Sequence, residues 1–175
     1  TAKEMITIGD LQVTPFFKYH DASDPHSFVI NCNGISIGVL TDIGTVCEEV
    51  IHHFKQCHAV FLEANYDATM LENGKYPIHL KNRIRGGHGH LSNKEALDLF
   101  ITHRSPNLSH LLLSHLSKEN NSPEMVEALF KQYANGITIA IAHRHRATEI
   151  FSISQGTNNH AISKVSSSLQ LGLFE

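Results

Sequence analysis

Five residues of this 175-residue chain have the types and placements that metal or acid–base chemistry needs. The apolar run Leu111-Leu112-Leu113 ends abruptly in Ser114-His115, after which the chain turns polar. That pattern reads as a short buried strand delivering a histidine at its C-terminal tip. Ile35–Leu40 likewise ends in Thr41-Asp42-Ile43-Gly44, and Ala59-Val60-Phe61-Leu62 ends in Glu63. His20 follows another strand-like run, and His90 closes the turn Gly86-Gly87-His88-Gly89-His90. In α/β folds, chemistry is placed at the C-terminal ends of strands. If these tips share one sheet edge, three imidazoles and two carboxylates converge, a donor set suited to zinc, manganese or iron. A carboxylate can bridge two ions and an imidazole cannot, which gives Asp42 a distinct part.

Each residue also has an ordinary structural alternative. A strand-end histidine is commonly only hydrogen-bonded. Asp42 can make a turn or cap the next helix, Glu63 can be an ion pair, and His90 can belong to the start of a helix. The ensemble carries the metal reading, not any one member.

The elements needed to position these residues follow from the pattern. Met5–Ile8, Gln12–Phe17, Ser27–Asn31 and Ile35–Leu40 read as strands, with Asn33-Gly34 as a hairpin turn. Pro15 marks an edge or an end. Thr45 is expected to cap a helix from Val46 to about Cys57, with Val46, Val50, Ile51 and Phe54 on one face. Short helices are expected near Ala68–Leu71 and Ile78–Ile84, and a longer one capped by Ser92 or Asn93. Ser122-Pro123-Glu124 opens a helix to Tyr133. Ile137–Ile141 and Glu149–Ile153 read as closing strands. A meander followed by β-α-β alternation makes an α/β domain, a mixed sheet with flanking helices.

Composition narrows the function classes. Apolar residues are 41% and charged residues 18%, as in a folded domain that buries a real core. No apolar run approaches the roughly 20 residues of a membrane span, and no secretory signal is visible. A net charge of −3 argues against a broad basic surface. Cys32, Cys47 and Cys57 lack metal-type spacing and read as reduced thiols of a cytoplasmic protein. Histidine is the outlier, with 14 residues against 14 Lys plus Arg. Those outside the five-residue set read as structural or surface residues.

The ordered motifs His20-Asp21-Ala22, Thr41-Asp42-Ile43-Gly44, Leu62-Glu63-Ala64-Asn65-Tyr66-Asp67, Gly89-His90-Leu91-Ser92-Asn93 and Ser114-His115-Leu116-Ser117 with Asn120-Asn121 resemble the metallo-β-lactamase-fold hydrolases. The resemblance is closest to the WalJ/YycJ branch and more distant to the tRNA 3′-processing endonucleases. Tyr76-Pro77 and Leu80–Ile84 fit that branch as well. The resemblance implies the C-terminal part of an αββα sandwich. It also implies two divalent ions, Zn or Mn, with His20 completing the first site, Asp42 bridging and His115 on the second. Glu63 and His90 match the family's carboxylate–histidine pair that assists proton transfer. The family's His-x-His-x-Asp-His motif is absent: neither His88-Gly89-His90 nor His143-Arg144-His145 continues as it requires. With Thr1 at the start, the expectation is that the N-terminal half lies elsewhere in a longer protein, and that this chain alone binds metal weakly and is inactive. Residues 1–160 are then a partial domain and 161–175 a polar tail.

The activity implied is phosphodiester hydrolysis, on DNA and in the 5′ to 3′ direction by analogy with that branch. Arg83 and Arg85, with Ser117, Asn120 and Asn121, are candidates for holding phosphate. A solvated charged face and ordinary helix capping are their alternatives. Gln170, Leu171, Leu173 and Phe174 resemble the peptide by which bacterial replication and repair proteins dock on the sliding clamp; a packed terminal strand is the other reading. The rival functions are a small-molecule hydrolase of a cyclic phosphodiester or ester, and a non-catalytic remnant serving as a binding module.

Overall fold

The computed structural model describes residues 4–154. Their framework is a seven-stranded sheet in which spatial order equals chain order. Strands β1 (Ile6–Ile8), β2 (Leu11–Phe17), β3 (His26–Cys32) and β4 (Ile35–Leu40) form an antiparallel meander. From β4 onward, β5 (Ala59–Glu63), β6 (His110–Ser114) and β7 (Thr138–Ile141) run parallel. Parallel neighbours need crossovers. These are α1 (Glu48–Phe54), then α2 (Ala68–Asn73), α3 (Ile78–Arg85) and α4 (Asn93–His103), and last α5 (Pro123–Lys131). Two antiparallel steps restore direction, so β2 points the same way as β4. The C-terminal ends of β2, β4, β5, β6 and β7 therefore open on one edge of the sheet.

One face of the sheet packs on helices. Leu40, Val60, Leu62, Leu111 and Leu113 meet Val50 and Phe54 of α1, Phe100 of α4 and Phe130 of α5 in one continuous core. The opposite face follows the other parity of each strand. It carries Ile6, Ile8, Leu11 and Phe28, all exposed, and half-buried Val13, Ile30 and Ile37, brought side by side by the register.

Several local expectations meet their physical reason here. Ser92 caps α4 in a full capping box with Glu95, and Ser122 caps α5 ahead of Pro123. Pro15 lies in β2 beyond the last residue paired to β1, where no ladder bond is lost. Thr45 does not cap α1. The Gly44 N–H donates to the Tyr19 carbonyl at 2.6 Å and Thr45 bridges to Tyr19, so the chain stays extended and the helix starts only at Glu48. Glu149–Ile153 forms no strand: Ile150 is 97% exposed and the segment pairs with no ladder. Among the described residues, no helix is long and apolar enough to cross a membrane. The expected clamp-type peptide at Gln170–Phe174 lies outside the described residues.

Candidate metal centre

The edge where β2, β4, β5 and β6 end gathers His20, Asp42, Glu63, His90 and His115. Their ligand atoms form two overlapping groups, His20–Asp42–His90 and Glu63–His90–His115, with every atom within 4.8 Å of the others in its group. Nε2 of His20 lies 3.6 Å and Nε2 of His115 lies 3.5 Å from the same Asp42 oxygen, Oδ1.

What fixes the rings is the other nitrogen of each. Nδ1 of His20 donates to the Gly89 carbonyl at 2.9 Å. Nδ1 of His90 and Nδ1 of His115 both donate to Oε1 of Glu63, at 2.8 and 2.7 Å. Every imidazole of the cluster thus has its Nδ1 held by a fixed acceptor, which leaves Nε2 for a ligand or a proton-carrying role. This is the outer-sphere arrangement that holds metal-binding histidines.

Glu63 is fully buried at the tip of β5 and its second oxygen accepts the Ile43 N–H at 2.6 Å. Burial opposes its ionisation, but hydrogen bonds from His115, His90 and Ile43 outweigh that, and the carboxyl stays below its usual range. The reciprocal bond from Glu63 holds His115 above the ordinary histidine value, against the opposing effect of burial.

The backbone at the tips is unusual. Asp42 and His115 both take left-handed conformations, at φ 55° and 56°. Such angles cost energy in non-glycine residues and concentrate at functional sites. The Asn65 amide donates to the His115 carbonyl at 2.8 Å and stabilises that turn. The loop carrying His90 is pressed close to its neighbours. A Cβ on Gly89 would run into the Arg83 and Ile84 carbonyls. Only glycine lets the Gly89 carbonyl reach His20.

The remaining candidates fall differently. Arg83 is exposed and pairs with Asp21 at 2.5 Å, next to His20. Arg85 is exposed and bonds Glu72 and Asn82. The Ser117 hydroxyl accepts the Asn120 N–H. Asn120 and Asn121 are buried. Asn121 donates to the Ala64 and Asn65 carbonyls and exchanges amide bonds with Asn93, which ties β5, α4 and α5 together beneath the site. Its polar atoms are used within the protein.

The sequence motifs pass over Lys18, yet it is buried with Nζ donating to the Thr41 carbonyl at 2.5 Å. Burial lowers its pKa, against the opposing charges of Asp42 and Glu63. One signal does mark it: the alternation that buries Phe16 in β2 also points Lys18 inward. Asn65 lies inside the third of the ordered motifs, which assigns it no part.

A mixed sheet with helices on one face and an imidazole–carboxylate cluster at its strand tips is the architecture of one half of a metallo-β-lactamase αββα sandwich. A metallo-β-lactamase-fold protein of known structure, YhfI from Bacillus subtilis, superposes with a TM-score of 0.58 at 15% identity, over 81% of this chain and 50% of that one. No family model matches the chain. It is 32% identical over 126 residues to the exodeoxyribonuclease YycJ of Bacillus anthracis, covering 72% of this chain and 48% of that protein. It is 34% identical over 119 residues to the exodeoxyribonuclease WalJ of Streptococcus pneumoniae, covering 68% and 44%. The chain is a WalJ/YycJ-like protein with the metallo-β-lactamase fold, and it spans about half the length of the curated relatives it matches.

Proposed function

We propose that the chain supplies part of the active centre of a metal-dependent phosphodiester hydrolase, a DNA exonuclease acting 5′ to 3′. The observation that carries this is the single Glu63 oxygen holding His90 and His115 by Nδ1 while the Nε2 atoms of His20 and His115 close on Asp42. The names of the similar proteins, both exodeoxyribonucleases, support the substrate class.

The donor set fits divalent ions. His20, Asp42 and His115 would hold them, with further ligands from the rest of the protein. Imidazole and carboxylate suit zinc or manganese. When bound, such ions supply Lewis acidity toward a phosphoryl oxygen. The chain's own chemistry then rests on His90. Its Nδ1 proton is fixed on Glu63, so Nε2 is the atom that carries a proton to the departing oxygen. Glu63 stabilises the imidazolium that forms while the proton waits. Lys18, under the Thr41 carbonyl, steadies the turn that presents Asp42.

The half-exposed apolar sheet face supports a second sheet from the rest of the protein as its cover. The three cysteines are free thiols and support a cytoplasmic location. We include the sliding clamp as a partner of Gln170, Leu171, Leu173 and Phe174; deleting Leu171–Glu175 should abolish clamp binding in a pull-down with purified clamp. The activity is tested by incubating the full-length protein with Mn²⁺ and end-labelled duplex DNA. Progressive shortening from the 5′ end is the expected result. Intact DNA beside rapid hydrolysis of a cyclic phosphodiester would replace the nuclease with a small-molecule hydrolase.

A further inference from the structure

β7 ends on the same edge as the metal-centre strands, and the chain leaves it as His143-Arg144-His145-Arg146. This segment contributes nothing to the cluster. It lines a groove of about 630 Å³ together with His115 itself. The volume is in the range of sites that take an organic ligand. Leu116, Pro123 and Ile141 give it apolar lining, and Lys118, Arg144 and Arg146 supply cationic side chains. No carboxylate is among the described residues that line it. In a chain of net charge −3, that is a local reversal of sign. Glu124 lies outside the lining; its carboxyl is held below the usual range first by the Ser122 hydroxyl, with smaller help from His143 and Arg146.

The segment is tied to the metal-centre loop. Nη2 of Arg144 donates to the Leu116 carbonyl, the residue after His115, at 3.3 Å. Nη2 of Arg146 donates to Nε2 of His143 at 2.6 Å, which orders the two side chains together. The guanidiniums and imidazoles are exposed or half-buried. They combine charge for phosphates with flat faces for unstacked bases, the two elements that single-strand binding uses.

We propose that this groove is the track for the single strand that flanks the scissile phosphate, with Lys118, Arg144 and Arg146 on its backbone and His143 and His145 against its bases. This rests on the phosphodiesterase reading above, and names where the polymer lies. A duplex would present its bases paired and stacked, so the groove should favour an unpaired strand. DNA and RNA share this chemistry and are separated by experiment.

The test is binding, so it does not depend on turnover. Full-length protein is titrated into fluorescein-labelled oligothymidylate, oligouridylate and a duplex of the same length, in EDTA, at several salt concentrations, with fluorescence anisotropy as the readout. Arg144→Ser/Arg146→Ser should raise the Kd for both single strands by about tenfold or more and reduce the salt slope by about 1.4, roughly 0.7 for each phosphate no longer held. Arg144→Lys/Arg146→Lys should restore most of the slope. A larger loss on one of the two single strands names the natural polymer. An unchanged Kd and slope overturns the proposal, as does an equal loss on the duplex. Binding that weakens in the Ser variant only together with its thermal midpoint, with no rescue by Lys, also overturns it. Full-length protein that binds strands yet never cleaves them with Mn²⁺ would sink the enzyme reading and leave the groove standing. Cleavage with unaltered binding in the variant would do the reverse.

Discussion

One oxygen of Glu63 serves two imidazoles with different tasks, and substitutions should separate them. In the full-length protein, His90→Ala should lower turnover by about 10²- to 10⁴-fold, the usual weight of a general acid. Its metal content by mass spectrometry should be unchanged; lost metal would make His90 a ligand instead. Glu63→Gln should lower both turnover and metal affinity, the latter by about 10- to 100-fold, because His115 loses its orienting partner. Titration at two other residues predicts an alkaline weakness. Burial pushes the Cys57 thiol from 9.0 up to about 12. Burial, helped by Glu95, lifts Tyr66 from 10.0 to about 12. A folded-state value above the unfolded one contributes stability that is complete below the unfolded pKa and is lost as pH rises through the folded one. The urea midpoint should therefore fall between about pH 9 and 12, and less steeply in Cys57→Ala once its lower baseline is subtracted. By the same burial, Cys57 should resist alkylation at pH 8 while Cys32 and Cys47, both half-buried, react.

At the scale of elements, the loops matter more than the helices. The turn at Gly86–His90 touches β4's exit, β2's exit and α3 at once. A methyl group on Gly89 would collide with two carbonyls of α3, so Gly89→Ala should cost about 1–3 kcal/mol in chemical denaturation, as overpacking does. It should also weaken metal binding by displacing the carbonyl that holds His20. Gly87→Ala, with open space around it, is the control and should change neither. The strand tips were readable in the sequence because short apolar runs end sharply at Asp42, Glu63 and His115. Parallel pairing then forces those ends to one edge. Caps at Ser92 and Ser122 were readable because their chemistry is local. Thr45 misled for the converse reason: a tertiary hydrogen bond at Gly44 decides where α1 begins. Asn120 and Asn121 carried no sign of burial, since asparagine suits a surface loop and an internal amide clamp equally. The left-handed turns at Asp42 and His115 had no glycine to announce them.

Among the described residues, the sheet is covered by helices on one side only. Expressed alone, the 175-residue chain should bind the dye ANS and self-associate through the face bearing Ile6, Ile8, Leu11 and Phe28, whereas the full-length protein should do neither. Calorimetric titration of the chain with Zn²⁺ or Mn²⁺ should show weak binding, because it offers His20, Asp42 and His115 for two ions. Tight uptake of two ions would mean the cluster is sufficient by itself. The consecutive strand order also has a consequence in time. The five residues of the centre are strung from position 20 to position 115, and each arrives with its own strand or crossover. A ribosome delivers Glu63 before either histidine that satisfies it. Until β6 docks on β5, a carboxylate destined for full burial has no imidazole from His115, so burying β5 against β4 alone is disfavoured while the chain is short. Metal uptake during refolding should follow the slowest folding phase rather than lead it, and the ion therefore seals a finished sheet instead of nucleating one.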